Sequence, residues 1–206
     1  MYLQHLYVQL LNQTTKMKKT EINLPNYQSK KDILFRDFIR FKDLVDINAT
    51  TDGDNVRAIT YAILSVFYSI SKKTGDKLQA SQVSQLVELV NIALSKEAIF
   101  EPVITYQNKR YGFLNFDKIT FAELVDLEDC YKEDKLIELT SIVYRPIKGT
   151  INKKGEYEIE EYQGYDDTFA NVTLDIVEGY MKVFQTASQT LKASILTSMG
   201  NQIESI

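Results

Sequence analysis

The sequence is poor in the residue types on which most enzyme and metal sites depend. It has one histidine, one cysteine and no tryptophan in 206 residues. Zinc sites draw on three or four ligands, mostly histidine and cysteine, so His5 and Cys130 are too few to form one. A single cysteine cannot form an intramolecular disulfide, so Cys130 fits a reducing compartment, where it packs as a small apolar residue. We therefore expect no metal and no cofactor.

Phosphate-binding, membrane-spanning and export patterns are missing as well. The chain contains neither GxxxxGKS/T nor GxGxxG, the glycine-rich loops that hold nucleotide phosphates. No apolar run reaches the roughly 18 residues that a membrane-spanning helix requires. The first eleven residues lack the basic start and the small-residue cleavage site of an export signal. We expect a protein that neither hydrolyses nucleotides nor enters a membrane.

Charge is distributed unevenly along the chain, although the formal net charge is only -4. This acidic balance argues against a dedicated nucleic-acid binder, which needs a clustered positive surface. The front of the chain is nevertheless basic, whereas residues 117–167 are mostly acidic. Opposite patches attract at encounter, so one interpretation is head-to-tail association between copies, and the other is two solvated faces of one globule. The basic residues are Lys16, Lys18, Lys19, Lys30, Lys31, Arg36, Arg40 and Lys42.

Apolar residues repeat at helical spacing through the first hundred residues. These stripes predict three helices, at about residues 33–45, 56–75 and 81–94. Ser29, with an aspartate three residues later, has the spacing of a capping box, and Ser81 is a suitable cap for the third helix. The first hundred residues therefore predict a small helical bundle.

Beyond the first hundred residues the pattern changes to short β-prone runs. Residues 103–106 and 111–114 flank a polar turn, which predicts a β-hairpin. Thr120 and Glu123 then have capping-box spacing, so we expect a helix from Phe121 to about residue 130.

The remaining chain predicts another helix, an edge strand and a long C-terminal helix. A helix over 133–144 should stop at Pro146, whose ring disfavours helical geometry at the preceding residue. Residues 156–162 alternate in part between polar and apolar, as in an edge strand or an extended loop. A long helix is expected to begin at residue 167 or 168.

Together these elements predict a mainly α (α+β) fold, a helical bundle with a small β-hairpin and a long C-terminal helix. No internal repeat and no proline-rich linker divides the chain. We expect an N-terminal arm at 1–28, a single mainly helical domain at 29–187 and a C-terminal helical tail at 188–206.

Tyrosine is the most informative aromatic residue, with thirteen copies beside ten phenylalanines. It is favoured at interfaces because its ring is apolar while its hydroxyl forms hydrogen bonds, and core packing is the alternative explanation. The candidate interface residues lie in or beside the predicted hairpin and the loop after residue 147. They are Tyr106, Tyr111, Tyr157, Tyr162 and Tyr165.

Carboxylates crowd into residues 123–134 and offer one route to chemistry. Paired carboxylates hydrolyse glycosidic bonds when they are buried at a set separation. Their alternation with Leu124, Val125 and Leu127 on short amphipathic helices favours a solvated acidic face instead. Arg145 is also placed to pair with Glu123, Asp126 or Glu128 and join two helices. The cluster consists of Glu123, Asp126, Glu128, Asp129, Glu133 and Asp134.

Four short pieces follow one another between residues 111 and 146, namely Tyr111–Phe113, Thr120–Glu123, Asp126–Glu128 and Ile142–Pro146. Over the stretch that these pieces span, residues 111–146 or about a fifth of the chain, the sequence resembles structural and assembly proteins of tailed bacteriophages, including the crAss-like phages. The order of the flanking helices is similar too. The resemblance implies a virion or assembly component, such as a ring, head-tail connector, packaged cargo protein or tail chaperone. It supplies no catalytic residues.

The sequence thus favours a non-enzymatic phage protein in the virion or the host bacterial cytoplasm, which binds copies of itself and other phage structural proteins. One alternative is a tail assembly chaperone that the virion does not retain. Another is an enzyme that uses the carboxylates from Glu123 to Asp134. A third is a regulator that binds nucleic acid, which requires Lys18, Lys30, Arg36 and Arg40 to share one face.

Overall fold

The computed structural model describes residues 24–49 and 55–187. The fold is mainly helical with one small antiparallel sheet, which confirms the predicted α+β class. The chain divides into two compact units, residues 1–97 and 98–206. This boundary falls inside the region 29–187, whose folding as a single domain stays a prediction. The predicted tail and most of the predicted arm lie outside the described residues.

The first unit is built from helices that pack through their apolar faces. The helices are α1 (Phe35–Ala49), α2 (Asn55–Tyr68), α3 (Lys72–Gly75) and α4 (Ala80–Ser95). Burial of these faces drives the packing, at about 25 cal/mol per Å² of apolar surface removed from water. The most deeply buried side chains, each no more than 1% exposed, are Ile33, Ile63, Leu64, Leu86, Val90 and Ala93.

The start of this unit differs from the sequence expectation. The backbone amide of Ser29 does donate to the Asp32 carboxylate, at 2.9 Å, but this box caps a 3-10 turn at Lys30–Asp32. The main helix begins later, at Phe35. Tyr27 lies within the segment predicted as an arm, yet it is buried and its hydroxyl donates to the Phe67 carbonyl at 2.7 Å.

The second and third helices also have boundaries that the apolar stripes misplace. Helix α2 ends at Tyr68 because Ser69 has a φ of 54°, which a right-handed helix does not accommodate. The predicted continuation of this helix to Gly75 is therefore wrong. Residues Lys72–Gly75 form the separate short helix α3. Helix α4 has Gln79 as its N-cap, not Ser81, because the Gln79 amide donates to the side chain of residue 82 at 2.9 Å.

The second unit contains a four-stranded sheet in the order β1-β2-β3-β4 with all neighbours antiparallel. The strands are β1 (Val103–Tyr106), β2 (Lys109–Phe113), β3 (Tyr144–Lys148) and β4 (Glu158–Ile159). The predicted hairpin is β1 and β2, joined by a two-residue turn. Gln107 and Asn108 have φ values of 47° and 63°, as the type I′ turn of a tight hairpin requires.

Among the described residues of the second unit there are also a 3-10 turn at Phe116–Lys118 and three α-helices: α5 (Phe121–Lys132), α6 (Leu136–Val143) and α7, which spans residues 174–187. The capping box at the start of α5 is confirmed. Thr120 accepts from the amide of Glu123 at 3.3 Å, and the Glu123 carboxylate accepts from the amide of Thr120 at 2.6 Å.

Two expectations about this unit are wrong. Helix α6 is shorter than the predicted 133–144. It starts late because Glu133 is the C-cap of α5 and Asp134 has a φ of 57°, and it ends early because Tyr144 already pairs with Phe113 in the sheet. Pro146 accordingly lies inside a strand and does not simply end a helix. The C-terminal helix begins at residue 174 and not at 167 or 168. Turns precede it, one of them stabilised by Asp166, which accepts from the amide of Thr168 at 2.8 Å.

The core of the second unit is largely aromatic. The Tyr144 ring lies 5.2 Å from that of Phe113 and 5.9 Å from that of Tyr180, both nearly edge to face. Gly179 on α7 allows the backbone at Ile99 to pack closely, since a Cβ atom added there would lie 2.8 Å from the Ile99 carbonyl oxygen. This contact explains a glycine that would otherwise only weaken the helix.

Candidate functional site

Two of the five predicted interface tyrosines belong to a packed aromatic cluster. The rings of Tyr106 and Tyr111 lie 4.8 and 5.0 Å from the ring of Phe169. Tyr111 is only 6% exposed, and burial raises the pKa of its hydroxyl. Tyr106 is half-buried and accepts from the amide of Asn171 at 3.2 Å. Tyr111 therefore leaves little surface for a partner.

Tyr157 attaches the chain before β4 to the middle of the sheet. Its ring covers Gly112, where an added Cβ atom would lie 2.3 Å from the ring carbon Cε2. Its hydroxyl accepts from the amide of Phe113 at 3.1 Å and lies 2.9 Å from the Pro102 carbonyl, to which it donates. Because β2 has no side chain at Gly112, the ring packs directly on the strand.

Tyr162 attaches the following loop to α5. Its hydroxyl donates to the Asp126 carboxylate at 2.5 Å, and the Arg145 guanidinium lies 5.9 Å from the centre of its ring. Burial, followed by the neighbouring carboxylate, raises the pKa of this tyrosine above its usual range. The hydroxyl therefore stays a hydrogen-bond donor throughout the physiological range.

Tyr165 is the most exposed of the five, at 42%. It lies in residues 156–167, which we call the acidic segment. This segment contains six carboxylates and no lysine or arginine. All six carboxylates are exposed: Glu156, Glu158, Glu160, Glu161, Asp166 and Asp167. The five tyrosines thus do not form one continuous surface, and their role at an interface stays a prediction.

The predicted pairing of Arg145 with a carboxylate of the cluster is confirmed for Glu123. One arginine nitrogen lies 2.7 Å from a Glu123 oxygen, and both side chains are nearly buried, at 11% and 4% exposure. Arg145 belongs to β3, so the pair joins α5 to the sheet and does not join two helices. Its Nε is the one buried side-chain polar atom without a hydrogen-bond partner among the described residues.

The other carboxylates of the cluster turn to separate neighbours. Asp126 accepts from Tyr162, Glu128 pairs with Lys132 at 3.3 Å, and Glu133 pairs with Lys135 at 2.5 Å. Asp129 and Asp134 are exposed. Within residues 24–49 and 55–187, no group of three or more histidine, cysteine or acidic side chains is arranged to hold a metal ion.

Cys130 lies on the same helix and is only 1% exposed. Burial raises the pKa of its thiol to about 11, with a smaller contribution from the nearby Glu138 carboxylate. The thiol is therefore protonated at neutral pH, whereas the thiolate is the nucleophilic form.

An open cleft of about 770 Å³ lies between the end of β2 and the β3–β4 connection. Its charged side chains balance, with two lysines facing two glutamates. The Asn152 amide already donates to one of those glutamates, Glu156, at 2.7 Å. The cleft therefore shows no preference for an anion or a cation. Its lining residues are Phe113, Asn115, Lys118, Lys148, Thr150, Asn152, Glu156, Tyr157 and Glu158.

The outer side of α5 exposes large apolar side chains. Phe121 is 81% exposed and Val125, one helical turn later, is 39% exposed. Residues four apart lie on the same side of a helix, so the two side chains form one small patch, which we call the α5 face. Burying a phenylalanine stabilises by about 2 to 3 kcal/mol relative to leaving it in water.

Comparisons with known proteins place no further limit on these surfaces. No protein-family model matches the chain, and no curated protein and no solved structure is significantly similar to it. In the part of the chain that the structure describes, none of the helices is both long enough and apolar enough to cross a membrane.

Proposed function

We propose that the protein is a non-enzymatic bacteriophage virion or assembly protein, which acts by binding copies of itself and other phage structural proteins. The phage setting is supported by the sequence resemblance over residues 111–146. The α5 face is the observation that carries the binding role. It is an apolar surface of a kind that a protein contact covers.

The α5 face is held by a rigid element. The capping box of Thr120 and Glu123 fixes where α5 begins, so Phe121 occupies the first helical position. Glu123 is in turn bound to Arg145 in the sheet. Since the helix start is fixed from two directions, Phe121 is presented with little freedom to fold back. Such pre-organised aromatic side chains contribute most of the energy in many interfaces.

The positions of the carboxylates also support a non-enzymatic role. A pair that hydrolyses glycosidic bonds needs both groups to face one substrate at a set separation. Here Glu123 is committed to Arg145 and to its own capping box, and Asp126 is committed to Tyr162. Each of these two carboxylates stabilises the fold through a contact of its own.

The proposal is tested with particles purified from lysates of the host bacterium. We expect the protein in these particles by mass spectrometry, and we expect Phe121→Ser to reduce its retention about tenfold or more, since a buried phenylalanine contributes about 2 kcal/mol. Ile99→Ser is the matched control, because Ile99 is also highly exposed, at 76%, but lies outside the α5 face. It should leave retention unchanged.

Two results would count against parts of the proposal. Absence from finished particles combined with a stable complex in the lysate would identify an assembly helper, such as a tail chaperone. Absence from both would contradict the proposal as a whole. Thermal unfolding of Phe121→Ser must match that of the parent protein, so that lost retention reports lost contact and not lost structure.

A further inference from the structure

The two units carry opposite formal charges. Residues 1–97 contain 13 lysines and arginines against 10 acidic residues, a formal charge of +3. Residues 98–206 contain 11 against 18, a formal charge of -7. The first unit of one copy is therefore attracted to the second unit of another copy, whereas two first units or two second units repel each other.

The positive charge of the first unit includes an ordered patch around Tyr61. Arg57 and Lys72 each place their charged group 5.6 Å from the centre of the Tyr61 ring. The Tyr61 hydroxyl donates to Asp76, which fixes the ring. Cations over an aromatic face are held by the ring quadrupole, so this arrangement orders side chains that are otherwise mobile. With Lys73 and Lys77, which are also exposed, these residues form what we call the Tyr61 patch.

The second unit presents the complementary surface. The acidic segment carries six exposed carboxylates in twelve residues, and Tyr157 and Tyr162 anchor it at two points. Lysines offset its first half, because Lys118 and Lys148 line the cleft with Glu156 and Glu158, and Lys148 lies 4.0 Å from Glu161. The exposed carboxylates beyond these are Glu160, Asp166 and Asp167. The segment is therefore a fixed anionic surface on the same chain that carries a fixed cationic one.

We infer that the Tyr61 patch of one copy binds the acidic segment of a second copy, so that the chains associate head to tail. This inference rests on the proposed function, which requires the protein to bind copies of itself. Charge complementarity favours a second copy as the occupant. A head-to-tail contact leaves one patch and one segment open at the ends, so it produces rings or filaments and not only dimers.

Sedimentation velocity with charge-reversed variants tests this contact. The protein should self-associate at low salt and dissociate at about 1 M salt, where the Debye length falls to about 3 Å. Reversal of the patch, as Lys72→Glu with Lys73→Glu and Lys77→Glu, should weaken association at least about tenfold. Reversal of the segment, as Glu158→Lys with Glu160→Lys and Asp167→Lys, should do the same.

Combining both reversals supplies the decisive variant. It restores the net charge of -4. The patch becomes anionic, while the segment carries three lysines beside its three remaining carboxylates and is neutral, so the repulsion of the patch variant is removed. Self-association should therefore recover in part, above the level of the patch variant. The matched control reverses three other exposed cations, Arg36, Arg40 and Lys42 on α1. It changes the net charge as much as the patch variant does, and it should leave association unchanged. Failure of the combined variant to associate, or loss of association in the control, would overturn the inference.

Other outcomes separate this inference from the proposed function. A parent protein that stays monomeric at low salt but is retained in particles overturns the head-to-tail contact and leaves the proposed function standing. A protein that self-associates through these surfaces but is absent from particles and lysate complexes supports the head-to-tail contact and contradicts the proposed phage function. Retardation of duplex DNA that the patch reversal abolishes, with no effect on self-association, would assign the Tyr61 patch to nucleic acid and also overturn the inference.

Discussion

The two units bury polar groups to very different extents. Between residues 24 and 97 the described chain buries one polar side chain, Gln82, and no charged one. The second unit buries Glu123, Thr140, Arg145 and Asp175. The first unit is therefore held mainly by apolar helix faces, while the second depends on specific partners for groups that water would otherwise solvate. A buried charge stabilises the fold only when its partner is present. Substitutions in the second unit should therefore lower the free energy of unfolding more than comparable substitutions in the first.

The largest effect is expected from removal of one member of the buried ion pair. Arg145→Ala leaves Glu123 buried beside an empty space, and we expect a loss of about 3 to 5 kcal/mol in the free energy of unfolding. Urea denaturation followed by circular dichroism measures it. Arg36→Ala is the control, because Arg36 approaches Asp37 only at 3.9 Å on the surface. A loss for Arg145→Ala as small as that of the control would mean that the pair adds nothing to the second unit.

A second test adds one methyl group where the sheet and the acidic segment meet. Gly112→Ala places a carbon 2.3 Å from the Tyr157 ring, and overpacking of this kind should cost about 3 kcal/mol. Alkylation of the single cysteine, Cys130, reports opening of this unit and should become faster. The same substitution in a Tyr157→Ala background should cost much less, because the clashing ring is gone. If Gly112→Ala lowers the free energy of unfolding equally in both backgrounds, the contact with the Tyr157 ring is not the cause of the loss.

The first unit should respond more weakly to a comparable change. Val90→Ala removes two methyl groups from a side chain that is fully buried on α4, and we expect a loss of about 2 kcal/mol. Under native conditions the alkylation rate of Cys130 should stay at the parental value. A rise like that of Gly112→Ala would instead show that residues 29–187 unfold as one domain, as the sequence predicts.

The smallest effect concerns the cap that orients the α5 face. Thr120→Ala removes the acceptor for the Glu123 amide and should cost about 1 kcal/mol. Thr120→Ser keeps an acceptor and should restore most of the loss, as measured by thermal unfolding. If serine and alanine destabilise equally, the cap is not what fixes the start of the helix.

Local signals allowed the sequence to predict part of this structure. The α5 capping box, the β1–β2 hairpin and the helical stripes all depend on residues within a few positions of one another. The strand β3 was missed because its partners lie far away, with Phe113 paired to Tyr144 across the sheet. Such a partner overrides the local helical pattern at Tyr144, while Leu136–Val143 stays helical.

The candidate surfaces were predicted less well than the fold. Exposure of Tyr165 and burial of Tyr111 depend on packing against elements that no local pattern reveals. The sequence predicts that Arg145 pairs with Glu123, Asp126 or Glu128, and the pair is with Glu123, but the pattern places the arginine at a helix end and not in a strand. The Tyr61 patch was missed entirely. A signal for it existed in the lysines at 72, 73 and 77, which follow a tyrosine-bearing helix.

The contact of Tyr157 with β2 also orders the events of folding. Strands β1 and β2 are joined by two residues, and hairpins of this kind form in about 1 to 10 μs. Tyr157 reaches Phe113 across 44 residues, so its contact closes a long loop and bears a greater entropic cost. The hairpin should therefore form early and the Tyr157 contact late. The acidic segment would then be the last part of the sheet region to reach its place.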